Sequence, residues 1–198
     1  RKILKKKVKK MKRIYLDNAA TTPLSEEVID AMVSVMKETF GNPSSTHSIG
    51  QEAKVLIENV RRQVADYLHV SPAEIIFTSC GTESNNMIIK SCVENLGVER
   101  IITSPMEHKC VAETVLDMKK NRGTEVTFLR PNQKGDFDLS KLEELLKNSD
   151  KKTLVTLMHA NNEIGNLIDL KKVAEICKEN HALFHSDTVQ SMAHMEHR

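Results

Sequence analysis

Asp187 and Gln190 stand in the stretch "LFHSDTVQS", where an apolar run gives way to polar and titratable side chains. A carboxylate at the end of a buried strand is costly unless something there needs a negative charge. Three other stretches have the same character: Cys80-Gly81-Thr82-Glu83, Pro105-Met106-Glu107-His108 and Asn161-Asn162-Glu163. Gly81-Thr82 reads as a strand-to-helix junction, where backbone N–H groups and the helix dipole favour an anion such as phosphate. His108 offers a flat imidazole that can stack on a ring and carry protons near neutral pH. Asp187 offers a fixed negative charge for a cation, with Gln190 as a hydrogen-bonding neighbour. Phosphate, flat ring and cationic ring nitrogen together describe pyridoxal 5'-phosphate (PLP), in which a protonated pyridine acts as an electron sink. Each group also has a plainer reading: a helix start at Gly81, a surface loop at His108, a turn at Asn161-Asn162, an N-cap at Asp187. All four together on one edge favour a site.

That edge follows from the elements that must position them. "SEEVIDAMVSVMKETF" (25–40) puts Val28, Met32, Val35 and Met36 on one helical face behind Ser25 as N-cap. A second amphipathic helix is predicted from Ile49 to Leu68, with Ala53, Leu56, Val60 and Val64 on its stripe. From there strands are predicted at 74–79, 100–104, 125–130, 153–160 and 182–186. Helices are predicted at 83–96, 110–121, 140–148 and 170–180. Strict alternation implies an α/β fold, a mostly parallel sheet with helices on both faces. Open sheets of this kind bind ligands at the carboxyl ends of their strands, where the four stretches fall.

Composition fits a globular chain: 198 residues, 39% hydrophobic and 28% charged. No apolar run approaches the ~20 residues that span a bilayer, and no membrane partner is expected. The net charge of +2 conceals a division. Residues 1–13 hold nine of the 29 basic residues and no acid, leaving 20 basic against 27 acidic residues in the rest. The tail reads as a basic, disordered leader rather than a nucleic-acid arm, and Met11 is a candidate natural start. Four cysteines without CxxC pairing or zinc-like spacing read as reduced thiols, which suits a cytoplasmic location. His194 and His197 are a weak metal pair, better read as an exposed chain end, so no metal is expected.

The stretches "YLDNAATTP", "GNPSSTHSIGQEA", "SPAEIIFTSCGTESNN", "MEHKCV", "MHANNEIG" and "HSDTVQS" occur in this order. Over residues 14–193 they resemble the amino-terminal half of a cysteine desulfurase, in the NifS/IscS-like branch of the class V PLP-dependent aminotransferase family. The resemblance implies a homodimeric PLP-dependent transferase of fold type I. Such an enzyme converts L-cysteine to L-alanine, leaving the sulfur as an enzyme persulfide. That sulfur serves iron–sulfur cluster assembly or tRNA thiolation, through a sulfur-acceptor or Fe–S scaffold protein. By the same resemblance, Gly81 and Thr82 match the phosphate-binding pair, with Gly81 where relatives often have Ala. His108 matches the ring-stacking, proton-shuttling histidine, Asn162 the asparagine beside cofactor and substrate, Asp187 the pyridinium partner and Gln190 the contact to the ring hydroxyl. The Schiff-base lysine, the threonine from the partner subunit and the nucleophilic cysteine loop of the family are expected beyond residue 198. Residues 14–198 are accordingly expected to form an amino-terminal segment and a partial large PLP-binding domain, inactive as it stands. Two alternatives remain open: a selenocysteine lyase or other PLP lyase of the same fold, and a non-catalytic interaction module.

Overall fold

Ile101 and Ile102 are neighbours in sequence, and the pleat sends them to opposite faces of one strand. In a computed structural model, which describes residues 14–195, that strand is β1 (Arg100–Thr103). The other strands are β2 (Glu125–Phe128), β3 (Thr153–Thr156) and β4 (Leu183–His185). All pairings are parallel and the sheet order is β2-β1-β3-β4. In register, Ile101 lies between Val126 and Leu154, and Val155 lies beside Phe184. The strands are shorter than their sequences predict, and after β3 the pairing continues as single bonds, from Leu157 N–H to the His185 carbonyl and from His159 N–H to the Asp187 carbonyl.

Helices cover both faces. Ile101 and Leu154 pack with Ile89, Cys92, Val111, Val115 and Met118 of α3 (Gly81–Glu94) and α4 (Lys109–Arg122). Ile102 and Val155 pack with Leu142, Leu146, Val173 and Ile176 of α5 (Leu139–Lys147) and α6 (Leu170–Glu179). The helix starts carry expected chemistry: Asp138 Oδ1 accepts from Ser140 N–H at 3.1 Å and Asp169 Oδ1 from Lys172 N–H at 3.0 Å. Gly123 ends α4 with φ of +71°, a conformation that suits glycine.

Two earlier helices behave differently. Ser25 caps α1 (Glu26–Glu38), accepting from Val28 N–H, as the sequence predicts. Yet α1 buries no residue, and Val28, Met32, Val35 and Met36 are exposed. In α2 (Ser48–Leu68) the predicted stripe is only partly covered: Ala53 is buried and Val60 exposed.

The strand predicted at 74–79 is corrected. Pro72–Glu74 forms a 3-10 turn, and residues 75–78 belong to no strand. Their sequence is strand-like, but a strand needs a neighbour for its N–H and C=O groups. No ladder is formed with this segment among the described residues, and Ile76 and Phe77 are exposed at 64% and 49%. The basic stretch 1–13, Met11 within it, and His197 lie outside the described residues.

Candidate active site

The chain leaves β1 for β2 on one side, while β3 lies on β1's other side. The loops after β1 and β3 therefore diverge, which opens a crevice at a topological switch point. Its floor is laced together. Glu107 Oε1 accepts from Met158 N–H at 2.9 Å, and Asn161 Nδ2 donates to the Met106 carbonyl at 2.8 Å.

Above that floor lies a cleft of about 450 Å³. Gly81, Thr82, His108, Asn162, Asp187 and Gln190, all singled out in the sequence, line it together. Gly81 and Thr82 open α3, and no side-chain hydrogen bond from the N-cap position, Cys80, caps their turn. His108 is the N-cap of α4, its Nδ1 accepting from Cys110 N–H at 3.2 Å. The Cys110 thiol sits 2.9 Å from the same nitrogen. The amide of Asn162 donates to Glu163 Oε1 at 3.1 Å, and Gln190 Nε2 donates to the Ala19 carbonyl at 3.0 Å. That last bond ties the loop after β4 to the segment before α1.

Asp187 is only 4% exposed. Its Oδ1 accepts from Val189 N–H at 3.0 Å and its Oδ2 from Asn85 Nδ2 at 2.8 Å. The Val189 bond is a local turn; no helix follows Asp187 among the described residues, so it is not a helix N-cap. The Asn85 bond joins distant elements and has no local purpose. Glu107, buried to 9% exposure, keeps its Oε2 without a hydrogen-bond partner. Burial above all, with the neighbouring Asp187 carboxylate adding to it, pushes its carboxyl up to about 8. Burial pushes the His185 imidazole down, against the pull of Asp187.

Asn85 and Glu107 were not assigned roles from sequence. For Asn85 a signal existed: it shares the buried stripe of α3 with Ile89 and Cys92, and a polar residue there needs a partner. For Glu107 adjacency to His108 was the only hint.

The Aminotransferase class-V family model matches residues 14–198. The chain belongs to that family. It is 44% identical over 188 residues to the cysteine desulfurase IscS of Dictyoglomus turgidum, covering 93% of this chain and 47% of the relative. Among solved structures, a NifS-like protein superposes with a TM-score of 0.84 at 40% identity, over 91% of this chain and 50% of that one. A structure of SspA in complex with cysteine gives 0.82 at 34% identity, over 89% and 51%. The chain thus spans about half the length of the relatives it matches. Class V aminotransferase relatives named cysteine desulfurase are PLP-dependent enzymes.

The residues present fit that cofactor. An uncapped helix start suits the phosphate, a buried carboxylate reaching the cleft suits a cationic nitrogen, and amides at Asn162 and Gln190 suit polar ring substituents. A Cβ built on Gly81 would come 3.0 Å from Val189 Cγ2, so glycine leaves the helix start open to the cleft. No described helix is long and apolar enough to cross a membrane.

Proposed function

We propose that this chain carries the cofactor-binding part of a PLP-dependent cysteine desulfurase. The observation that supports it most is the convergence of Gly81, Thr82, His108, Asn162, Asp187 and Gln190 on one cleft. The family's relatives and the structure of one of them with cysteine point the same way. The overall reaction takes L-cysteine and an enzyme thiol to L-alanine and an enzyme persulfide.

Bound in the cleft, PLP would supply an electron sink for charge developing at the substrate's α-carbon. The protein's own residues do the rest. Gly81 and Thr82 present backbone N–H groups and the positive end of α3 to the phosphate. Asp187, held by Asn85 and the Val189 N–H, sets a negative charge against the pyridine nitrogen. His108 would supply the flat ring beside the cofactor. Its Nδ1 is engaged by the α4 cap, which leaves Nε2 as the nitrogen that takes and returns a proton. Asn162 and Gln190 orient polar groups of cofactor and substrate.

The exposed apolar residues of α1 and α2, Met32 and Met36 with Val55 and Tyr67 among them, support a larger assembly, which we take to be a homodimer. Sulfur would pass to an acceptor or Fe–S scaffold protein. Four free thiols suit a reducing compartment such as the cytoplasm.

The test is to express the full-length protein that contains this chain, supply PLP, L-cysteine and a thiol reductant, and assay alanine and sulfide. Equal amounts of both are expected. Bound PLP with no alanine would overturn the desulfurase reading.

A further inference from the structure

Three buried side chains, Thr156, His185 and Asn85, form one hydrogen-bonded line that ends on Asp187. Thr156 Oγ1, at the end of β3, lies 2.8 Å from His185 Nδ1, on β4. His185 Nε2 lies 3.1 Å from Asn85 Oδ1, on α3. Asn85 Nδ2 lies 2.8 Å from Asp187 Oδ2 and 3.3 Å from Cys110 Sγ. These three side chains and Asp187 are at least nine-tenths buried.

The chemistry fixes the direction of every bond. A carboxylate oxygen can only accept, so the amide nitrogen of Asn85 faces Asp187 and its oxygen faces His185. That oxygen needs a donor, which puts the imidazole proton on Nε2. Nδ1 then accepts, and the Thr156 hydroxyl donates. Both N–H groups of the Asn85 amide are engaged, one by Asp187 and one by the Cys110 thiol. The amide has no alternative orientation that satisfies its neighbours. Glu107, in the loop after β1, is the acidic neighbour whose carboxyl the Asp187 charge helps to push up.

We propose that Asn85 and His185 are positioning residues, a relay that holds the Asp187 carboxylate aimed into the cleft. This rests on the PLP reading above but goes beyond it. Asn85 borders the cleft and His185 lies behind it, outside the cleft lining, so the relay predicts a defined tautomer at a histidine that does not face the cleft. It also assigns a purpose to a buried asparagine in the middle of an apolar helix face.

The experiment uses full-length protein with 15N-labelled histidine, first stripped of PLP. Long-range proton–nitrogen spectra should show His185 neutral, with a protonated Nε2 and an acceptor-type Nδ1, from pH 6 to 8. A proton on Nδ1, or a doubly protonated ring in that range, overturns the relay. Asn85→Ala and His185→Phe, confirmed folded by circular dichroism, should each weaken PLP binding and lower kcat about tenfold or more, the scale of one lost hydrogen bond to a charged group. KM for cysteine should stay within about threefold, since a positioning defect acts through the cofactor partner. His185→Gln keeps a donor at the Nε2 position and should restore PLP binding to within about threefold. Parental PLP affinity in folded Asn85→Ala, or failure of His185→Gln to restore binding where the variant is folded, also overturns the proposal. Failure of the desulfurase reading has a different signature. The parent would then form no alanine, while the histidine spectrum and the PLP titrations would still follow the relay.

Discussion

Asn85 and Asp187 are 102 residues apart in sequence, and their side chains meet at 2.8 Å in the protein interior. The contact joins α3, whose first residues line the cleft, to the loop after β4, which lines it as well. A shift of α3 is therefore a shift of the Asp187 carboxylate. The proposed phosphate seat and the proposed charge partner are thus tied together through one side chain.

Asp187→Asn in the full-length enzyme preserves shape and removes charge. Turnover of cysteine should fall by at least about 100-fold, the scale of a lost preorganised charge. The stability loss should be about 1.5–3 kcal/mol, the scale of a buried hydrogen bond to a charged group, against about 1 kcal/mol for a mere cap. Alanine formation at the parental rate would show Asp187 to be only the cap of its turn.

His108→Gln separates binding from proton transfer. The variant should retain the colour of bound PLP and lose at least about 100-fold in alanine formation, as expected for a general acid–base group. Loss of the α4 cap should also cost about 1 kcal/mol in urea denaturation. Unchanged colour together with an unchanged rate would return His108 to the status of a loop residue.

Glu107 gives a pH dependence whose sign can be worked out. Its carboxyl lies at about 8 in the native protein against an ordinary 4.5. Between those values the folded state keeps a proton that the unfolded chain has lost. The contribution to stability is full below pH 4.5 and is lost as pH rises through about 8. The slope is at most about 1.4 kcal/mol per pH unit. Glu107→Gln should remove this component, so that the difference between parent and variant changes steadily from pH 5 to 8. Urea midpoints at stepped pH measure it, and parallel curves would refute the burial assignment.

Gly81→Ala tests how tightly the helix start is packed. The new Cβ would meet only the end of the Val189 side chain, at 3.0 Å. A shift of a few tenths of an ångström relieves it, and alanine is the better helix former. PLP affinity should stay within about threefold of the parent, because the phosphate contact is through backbone N–H groups. A loss of about 100-fold in a PLP titration would mean that the space at Cα is itself needed by the ligand.

Much of this was legible in the chain because local rules and tertiary needs agree there. "RIIT" and "TLVT" are each three-quarters β-branched, buried on both faces, and form β1 and β3. Asp138 and Asp169 stand where caps are needed and serve as caps. The strand-end rule placed His108, Asn162 and Asp187 on one edge, and they share one cleft. Residues 75–78 escaped because strand propensity describes a side-chain pattern, whereas a strand is made by a neighbour. Asn85 escaped because its partners lie 100 and 102 residues away, beyond any local pattern. Glu107 escaped because its importance is burial, and a glutamate in a loop sequence reads as solvated.

The strand ends and the strand bodies answer to different demands, and this bears on how such a protein can change. Ile101 and Ile102 commit β1 to two separate cores, and Leu154 and Val155 do the same for β3. The loops that follow contribute polar groups to the cleft but few residues to either core. New specificities can therefore arise by substitution at positions such as Asn162, Glu163 or Val189 without unpacking the sheet. Asn85 and Glu107 are the exceptions, because each is part of the interior and of the cleft's support at once. Directed evolution of this scaffold should find variants readily in the loops and seldom at those two positions.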